Sequence, residues 1–313
     1  MNSIPMSISL IPLLKSGWQL AAKGYFDYSP SDRRKQQWKI SFHLLFNVGF
    51  ASRWFEFLQS TDFSYVSFNR PRLYIKPFRT YISIKWSKAQ KVKVILDTYR
   101  FIKSKESVLG QILSCKDGKV IACLNFDNSY TGYLKLWYDD RFRKEGELVL
   151  TLECSELGGK ISSVAFSLEE TEGCWRCIIG CVQAHNCIDN QNAFNLTQKL
   201  LHGLRPNSFV VHAIQELSRY LGCSSIYCVG NSIQAHRGKH FVHIPWRHSI
   251  YFNYNAFWCE VGGKDIGKDW FELPLVPVRR DIQEIKSHKR SMYRKRYAIL
   301  DDLSLKICDA TKS

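Results

Sequence analysis

Between Gln37 and Leu58, apolar residues return at spacings of three and four: Trp38, Phe42, Leu45, Phe46, Phe50, Trp54, Phe57 and Leu58. That period predicts a helix with one apolar face. Pro71 and Pro77 break it and mark a loop. A helical period resumes from Ile84 to Ile102 through Ala89, Val92, Ile95, Leu96 and Tyr99, with Lys85, Lys88, Lys91, Lys93 and Arg100 on the other side. From about Gln111 the period becomes two. Val120–Phe126, Tyr133–Tyr138, Glu147–Glu153, Val164–Leu168 and Trp175–Cys181 alternate as strands, with turn residues at Gly158-Gly159 and Glu172-Gly173. Short turns between alternating runs predict an antiparallel meander. Then Val210, Ala213, Ile214, Leu217 and Leu221 form a helical stripe with Pro206 at its start and Gly222 just past its end. A short strand, Ser224–Val229, follows.

Antiparallel strands, then a helix, then a strand laid beside the last one predict an α/β (α+β) protein with a mixed, mostly antiparallel sheet. The order looks like the acetyltransferase-type core, the GNAT fold, preceded by a mainly helical lobe. The expected divisions are a basic helical lobe at 1–108, a mixed-sheet core at 109–280, and a basic C-terminal helix at 281–313 packed on that core. In a GNAT-like layout the cofactor phosphates meet the helix that follows the central strands. Here that point is Gly203-Leu204-Arg205, where free N–H groups, the positive end of the helix dipole and a guanidinium favour an anion. The usual loop there is glycine-rich, and this chain supplies Gly203 alone. The cofactor expectation is therefore an acyl or aminoacyl donor, its identity left open.

Charge changes the picture next. The 313 residues carry a formal net charge of +16. Arg70 to Lys105 holds eleven Lys/Arg against one acid, Asp97, and a second cluster stands at Lys286, Lys289, Arg290, Arg294, Lys295 and Arg296. Such concentration raises encounter with anions, so the expected partner is a membrane surface, an acidic protein or RNA. The plainer alternative is a solvated face. Hydrophobic residues at 45% exclude a disordered chain. Aromatics at 14% fill a core or line a groove, the core being the commoner use. Eleven cysteines, an odd number, point to reduced thiols and the cytoplasm. MNSIPMSISLIPLL lacks the basic n-region of a secretory signal, and no run nears the roughly 18 apolar residues of a membrane span. The expected location is cytoplasmic, with peripheral contact at the inner membrane and no transmembrane segment.

The candidate chemistry sits in a few places. Tyr254 and Glu260, in YNAFWCE, would serve as proton donor and base of an acyl transfer, or else the rings plug the sheet and an Arg neutralises Glu260. His202, Gly203, Arg205 and Asn207 form the ligand-binding candidate, since a guanidinium grips carboxylate or phosphate in two places; Arg205 could instead pair with an acid. His212 and Glu216 are one turn apart, as in a base and its orienter or a surface contact. Cys174-x-x-Cys177 with Cys181, His185 and Cys187 is one knuckle without its mate, and His236, His240, His243 and His248 have no carboxylate near in sequence, so no metal is expected. The basic cluster at Lys286–Arg296 is expected to meet the anionic surface, and it lacks any RNA-recognition signature.

Five segments carry a resemblance: RKEGELVLTLE (143–153), IIGCVQA (178–184), TQKLLHGLRPN (197–207), YNAFWCEVGG (254–263) and KSHKRSMYRKRY (286–297). In this order they resemble the VirK/YbjX family over the last two thirds of the chain, more loosely before that. The resemblance implies a virulence-associated accessory protein of a Gram-negative enteric pathogen. It implies a functional link to an outer-membrane virulence protein, in its production or display, and envelope resistance to cationic peptides. It carries no catalytic residues. An acyl- or aminoacyltransferase modifying an envelope component stands as the alternative function.

Overall fold

The computed structural model describes residues 10–60, 63–64, 66, 70–105, 109–110, 112, 117–127, 129–184, 190–237 and 252–312. The chain divides into two compact units, Met1–Arg79 and Thr80–Ser313.

The first unit holds α1 (Leu10–Gly24), α2 (Pro30–Leu45), α3 (Val48–Gln59) and a 3-10 segment, Pro71–Phe78. Helix α2 starts where Ser29 Oγ accepts from Asp32 N–H at 3.2 Å, with Pro30 opening the first turn. Its buried side is Gln37, Ile40 and Leu44. Gly17 of α1 lies against Leu44, and a Cβ there would collide with it. Trp54 of α3 donates through Nε1 to Tyr74 O at 3.0 Å. The single helix expected over 37–58 is in fact two, parted at Phe46–Asn47, where Asn47 leaves helical geometry (φ −145°, ψ 34°). The expected face splits too: Trp54 and Leu58 are buried, whereas Trp38, Phe42, Leu45 and Phe46 are exposed.

The second unit is built on an eight-stranded sheet. Strands β1 (Lys119–Asp127), β2 (Tyr130–Trp137), β3 (Leu148–Cys154), β4 (Gly159–Thr171) and β5 (Cys174–Ala184) form the predicted meander. Glu172 and Gly173, both at positive φ (54° and 75°), make the tight β4–β5 turn. Helices α5 (Asn190–Leu200) and α6 (Pro206–Tyr220) cross over to β6 (Cys223–Val229), which runs parallel to β5. The short α7 (Tyr254–Glu260) precedes a hairpin of β7 (Lys264–Gly267) and β8 (Trp270–Leu273), unforeseen in sequence, which adds to β6 in the order β6-β8-β7. Its turn, Lys268-Asp269, uses two non-glycine residues at positive φ. The fold is thus mixed α/β with a mostly antiparallel sheet.

Strand β3 and the middle of β4 are buried almost continuously, so both faces of the sheet centre are covered. Helix α6 packs on β3 to β6, and α4 (Lys88–Ser104) packs on β4. Leu168 N–H donates to Thr98 Oγ1 at 2.9 Å and Glu170 N–H to Asp97 Oδ2 at 3.1 Å. These bonds tie α4 to the sheet, so the boundary between units lies at Arg79/Thr80, ahead of this helix, rather than at residue 108. Helix α8 (Ser287–Lys312) buries Leu300, Leu303 and Ile307 and packs on α6 and β1.

Candidate anion-binding knuckle and basic helix

The chain between α5 and α6 is a tight knuckle. His202 and Gly203 both take left-handed conformations (φ 50° and 79°). His202 N–H donates to Lys199 O at 2.9 Å and Gly203 N–H to Gln198 O at 2.7 Å, which stops α5 and satisfies its last carbonyls. Gly203 therefore spends its N–H on α5 and leaves none for a ligand. Arg205 is the N-cap residue of α6 but makes no side-chain cap; its guanidinium pairs with Glu260 at the end of α7, both half exposed. Asn207 is buried, and its Oδ1 accepts from Ser162 Oγ at 2.7 Å. The structure thus brings Arg205 and Glu260 together and turns Asn207 into the sheet.

Helix α8 closes the knuckle. Arg296 donates twice to His202 O, from Nε at 3.1 Å and Nη2 at 2.8 Å, and lies 4.2 Å from the Tyr293 ring centroid. A groove of about 550 Å³ opens on one side, lined by Asn195, Gln198, Lys199, His202, Gly203 and Met292. Burial, then Lys295 and Arg296, hold the His202 imidazole below its ordinary pKa. A second groove of about 400 Å³ lies under the start of α6, lined in part by Ser208, Cys259, Glu260, Arg280, Tyr293, Arg296 and Tyr297.

The six basic residues expected to act together divide into two sets. Arg290 turns back to Ile285 O (2.8 Å) and Gln283 O (2.9 Å), and Arg296 holds His202 O; these two brace local backbone. Lys286, Lys289, Arg294 and Lys295 are exposed and make no ion pair among the described residues. Arg280, missed in sequence, joins them: it is exposed beside the second groove. The first turn of α8 holds no acid. Cations at the positive end of a helix dipole lower stability rather than raise it.

Tyr254 does not face Glu260. It is buried, its hydroxyl donates to Val182 O at 3.1 Å, and burial pushes its phenol well above the ordinary range. Trp258 Nε1 donates to Val229 O at 2.8 Å. With Phe252 and Phe257 these rings form one cluster joining β5 to β6. Strand pairing of β5 with β6 ends at Ile179↔Cys228, and the α7 rings bond to carbonyls beyond that end.

His212 is buried between α6 and α8 rather than on the surface. Burial lowers its pKa to about 4, opposed by Glu216 and Asp301 and assisted by Arg279. Glu216 accepts from Arg219 at 2.5 Å and from Ser304 Oγ at 2.8 Å. Cys177, Cys181 and Cys228 are core thiols pushed well up by burial. Among the described residues no group of three or more His, Cys, Asp or Glu could hold a metal ion. His185, Cys187, His240, His243 and His248 lie outside the described residues.

One pair was not foreseen. Glu145, almost fully buried, has Oε1 2.5 Å from Nε2 of the half-exposed His236. Neither carboxylate oxygen finds a well-aligned hydrogen bond among the described residues. Its sequence sign, an acid on each side of Gly146 just before an apolar strand, marks two buried glutamates only once the fold is known; Glu147 accepts from Tyr99 Oη at 2.7 Å.

These features describe a mixed α/β protein with no helix, among the described residues, long and apolar enough to cross a membrane. It belongs to the DUF535 family, described as "Protein of unknown function (DUF535)", which matches residues 30–309. An "Uncharacterized protein" of Haemophilus influenzae is 28% identical over 297 residues, 90% of this chain and 92% of the relative. "Uncharacterized protein YbjX" of Escherichia coli is 29% identical over 236 residues, 74% of this chain and 70% of the relative. The VirK/YbjX resemblance read from the five segments is thereby borne out. A solved structure, a mutant of a cAMP-binding acyltransferase from Mycobacterium smegmatis, aligns over 68% of this chain and 61% of its own at 12% identity. Its TM-score is 0.30, which carries no argument about fold or activity.

Proposed function

We propose that this chain is an accessory protein of the Gram-negative envelope that binds an anionic partner through the free cations of α8. By the family resemblance, that binding supports production or surface display of an outer-membrane virulence protein. The observation that carries the reading is the division of the cations. Arg290 and Arg296 are used up on backbone, while Lys286, Lys289, Arg294, Lys295 and Arg280 stay exposed with no ion pair among the described residues, and Lys286 and Lys289 do so at the start of α8, where they oppose the dipole. Charge kept against local stability favours a counter-charge supplied from outside. The test reverses Lys286, Lys289, Arg294 and Lys295 to Glu and returns the variant to a strain lacking the protein. Surface display should fall to the level of the deletion, with the variant's thermal stability unchanged or raised. Full display would end the reading.

A GNAT-like acyl or aminoacyl transfer to an envelope component is the second reading. The order β5–α6–β6 and the grooves beside the start of α6 favour it. It weighs less because the Gly203 N–H and the Tyr254 hydroxyl are already spent on protein carbonyls. Calorimetric titration with coenzyme A thioesters and aminoacyl donors tests it, and heat of binding to any of them would restore it.

A further inference from the structure

Helix α2 is apolar on two sides. One side, Ile40 and Leu44, packs within its unit. The other carries Trp38, Phe42 and Leu45, with Phe46 at the cap, and these are 68%, 62%, 50% and 72% exposed. Phe42 follows Trp38 by four, and Leu45 and Phe46 follow Phe42 by three and four, which puts them on a single stripe. The Phe42 and Phe46 rings lie tilted with centroids 4.7 Å apart, and Trp38 meets Trp18 edge-on at 5.3 Å. A contiguous patch of large exposed side chains marks a contact surface rather than the ordinary scatter of apolar residues.

The residues beside the stripe say what covers it. Arg34 and Lys35 lie on the same stripe one turn earlier, and Lys39 flanks it. Arg34 and Lys39 are exposed with no ion pair among the described residues, and Lys35 meets only the exposed Asp32 at 2.9 Å. The helix's single acid, Asp32, is held by Ser29 at 2.8 Å as well as by Lys35. Aromatic rings bordered by cations suit the boundary between acyl chains and anionic headgroups. A second copy is disfavoured, since each chain carries a net +16.

We infer that α2 is a membrane-contact helix that lays Trp38, Phe42, Leu45 and Phe46 into the interface of an anionic lipid surface. The inference rests on the first unit alone, so the fate of the α8 reading does not decide it. The test is co-sedimentation of the full chain with phosphatidylcholine vesicles, pure or containing about one third phosphatidylglycerol. The full chain should bind the anionic vesicles and bind the neutral ones more weakly. Replacing Trp38, Phe42 and Phe46 together by Ser should weaken anionic-vesicle binding at least about tenfold. Because all three are exposed, the circular dichroism spectrum and unfolding temperature should stay put. The chain with Lys286, Lys289, Arg294 and Lys295 reversed should still need the α2 rings to bind. Failure of the parent chain to bind anionic vesicles would overturn the inference, as would equal binding by the Ser variant. So would a concentration-dependent dimer abolished by the same three changes, which would give the stripe to a second copy.

Discussion

Two aromatic clusters in this chain have opposite fates. In α7, Tyr254, Phe257 and Trp258 are buried, and the two with polar tips hand those tips to Val182 O and Val229 O. In α2, Trp38, Phe42 and Phe46 stand in solvent with cations alongside. Both segments read as dense aromatic runs of the kind that fill cores. What separates them is the partner for the polar atom and the charge of the neighbours. The α7 segment has acceptors waiting at the ends of β5 and β6; the α2 stripe has Arg34, Lys35 and Lys39 beside it. Composition does not reveal a surface that is kept for a partner, whereas the neighbours of each ring do.

The sharpest way to break that comparison is to delete one indole from each cluster. Trp258→Ala should cost about 3–5 kcal/mol, because it opens a cavity and strands the Val229 carbonyl. Trp38→Ala should fall within about 0.5 kcal/mol of the parent chain. Urea unfolding of both variants checks it. A large loss at Trp38 would mean that its stripe is structural and would remove the ground for a membrane contact.

The sheet was legible because its signals are local. Alternation at Leu148, Leu150 and Leu152, and turns at Gly158-Gly159 and Glu172-Gly173, set the meander without help from distant residues. The α2 face was not legible, since a period of three and four marks a stripe but not whether it turns inward. The ion pair of Arg205 with Glu260 was foreseen only as the plainer alternative for each residue. The β7–β8 hairpin escaped because Lys268 and Asp269 turn it without a glycine between the strands' ends. Glu145 with His236 escaped because the pair is distant in sequence, and a buried carboxylate has no pattern of its own.

Ionisable groups extend the contrast between buried and exposed. His212 is buried as the α7 rings are, and its folded pKa is about 4 against 6.5 for the free side chain. Between those values the unfolded chain takes up a proton that the native state refuses. Stability from this group is therefore complete above pH 6.5 and declines as pH falls toward 4. It then levels off with a deficit of about 3 kcal/mol. Glu216, Arg279 and Asp301 face the imidazole and shape the curve. His212→Gln should flatten the stability profile across that window, as read from unfolding midpoints at successive pH values. An unchanged slope would show that His212 does not carry the effect.

Glycines at two exposed helix stops separate backbone strain from packing. Gly203 and Gly222 hold similar angles (φ 79° and 84°) after α5 and α6. A methyl group at Gly222 meets nothing within 4 Å, so Gly222→Ala measures the left-handed backbone alone, about 1 kcal/mol. At Gly203 the same methyl comes 3.0 Å from Arg296 Nη2 and 3.4 Å from Met292 Sδ. The guanidinium can swing aside, but only by giving up its hold on His202 O. Gly203→Ala should thus cost the same strain plus about 0.5–1 kcal/mol for the lost hydrogen bond. Adding Arg296→Ala should erase that excess while leaving the strain, a coupling that a double-mutant cycle reads directly. Equal losses at the two glycines would mean that α8 does not clamp the knuckle. Arg296 would then return to the set of cations free to meet a partner.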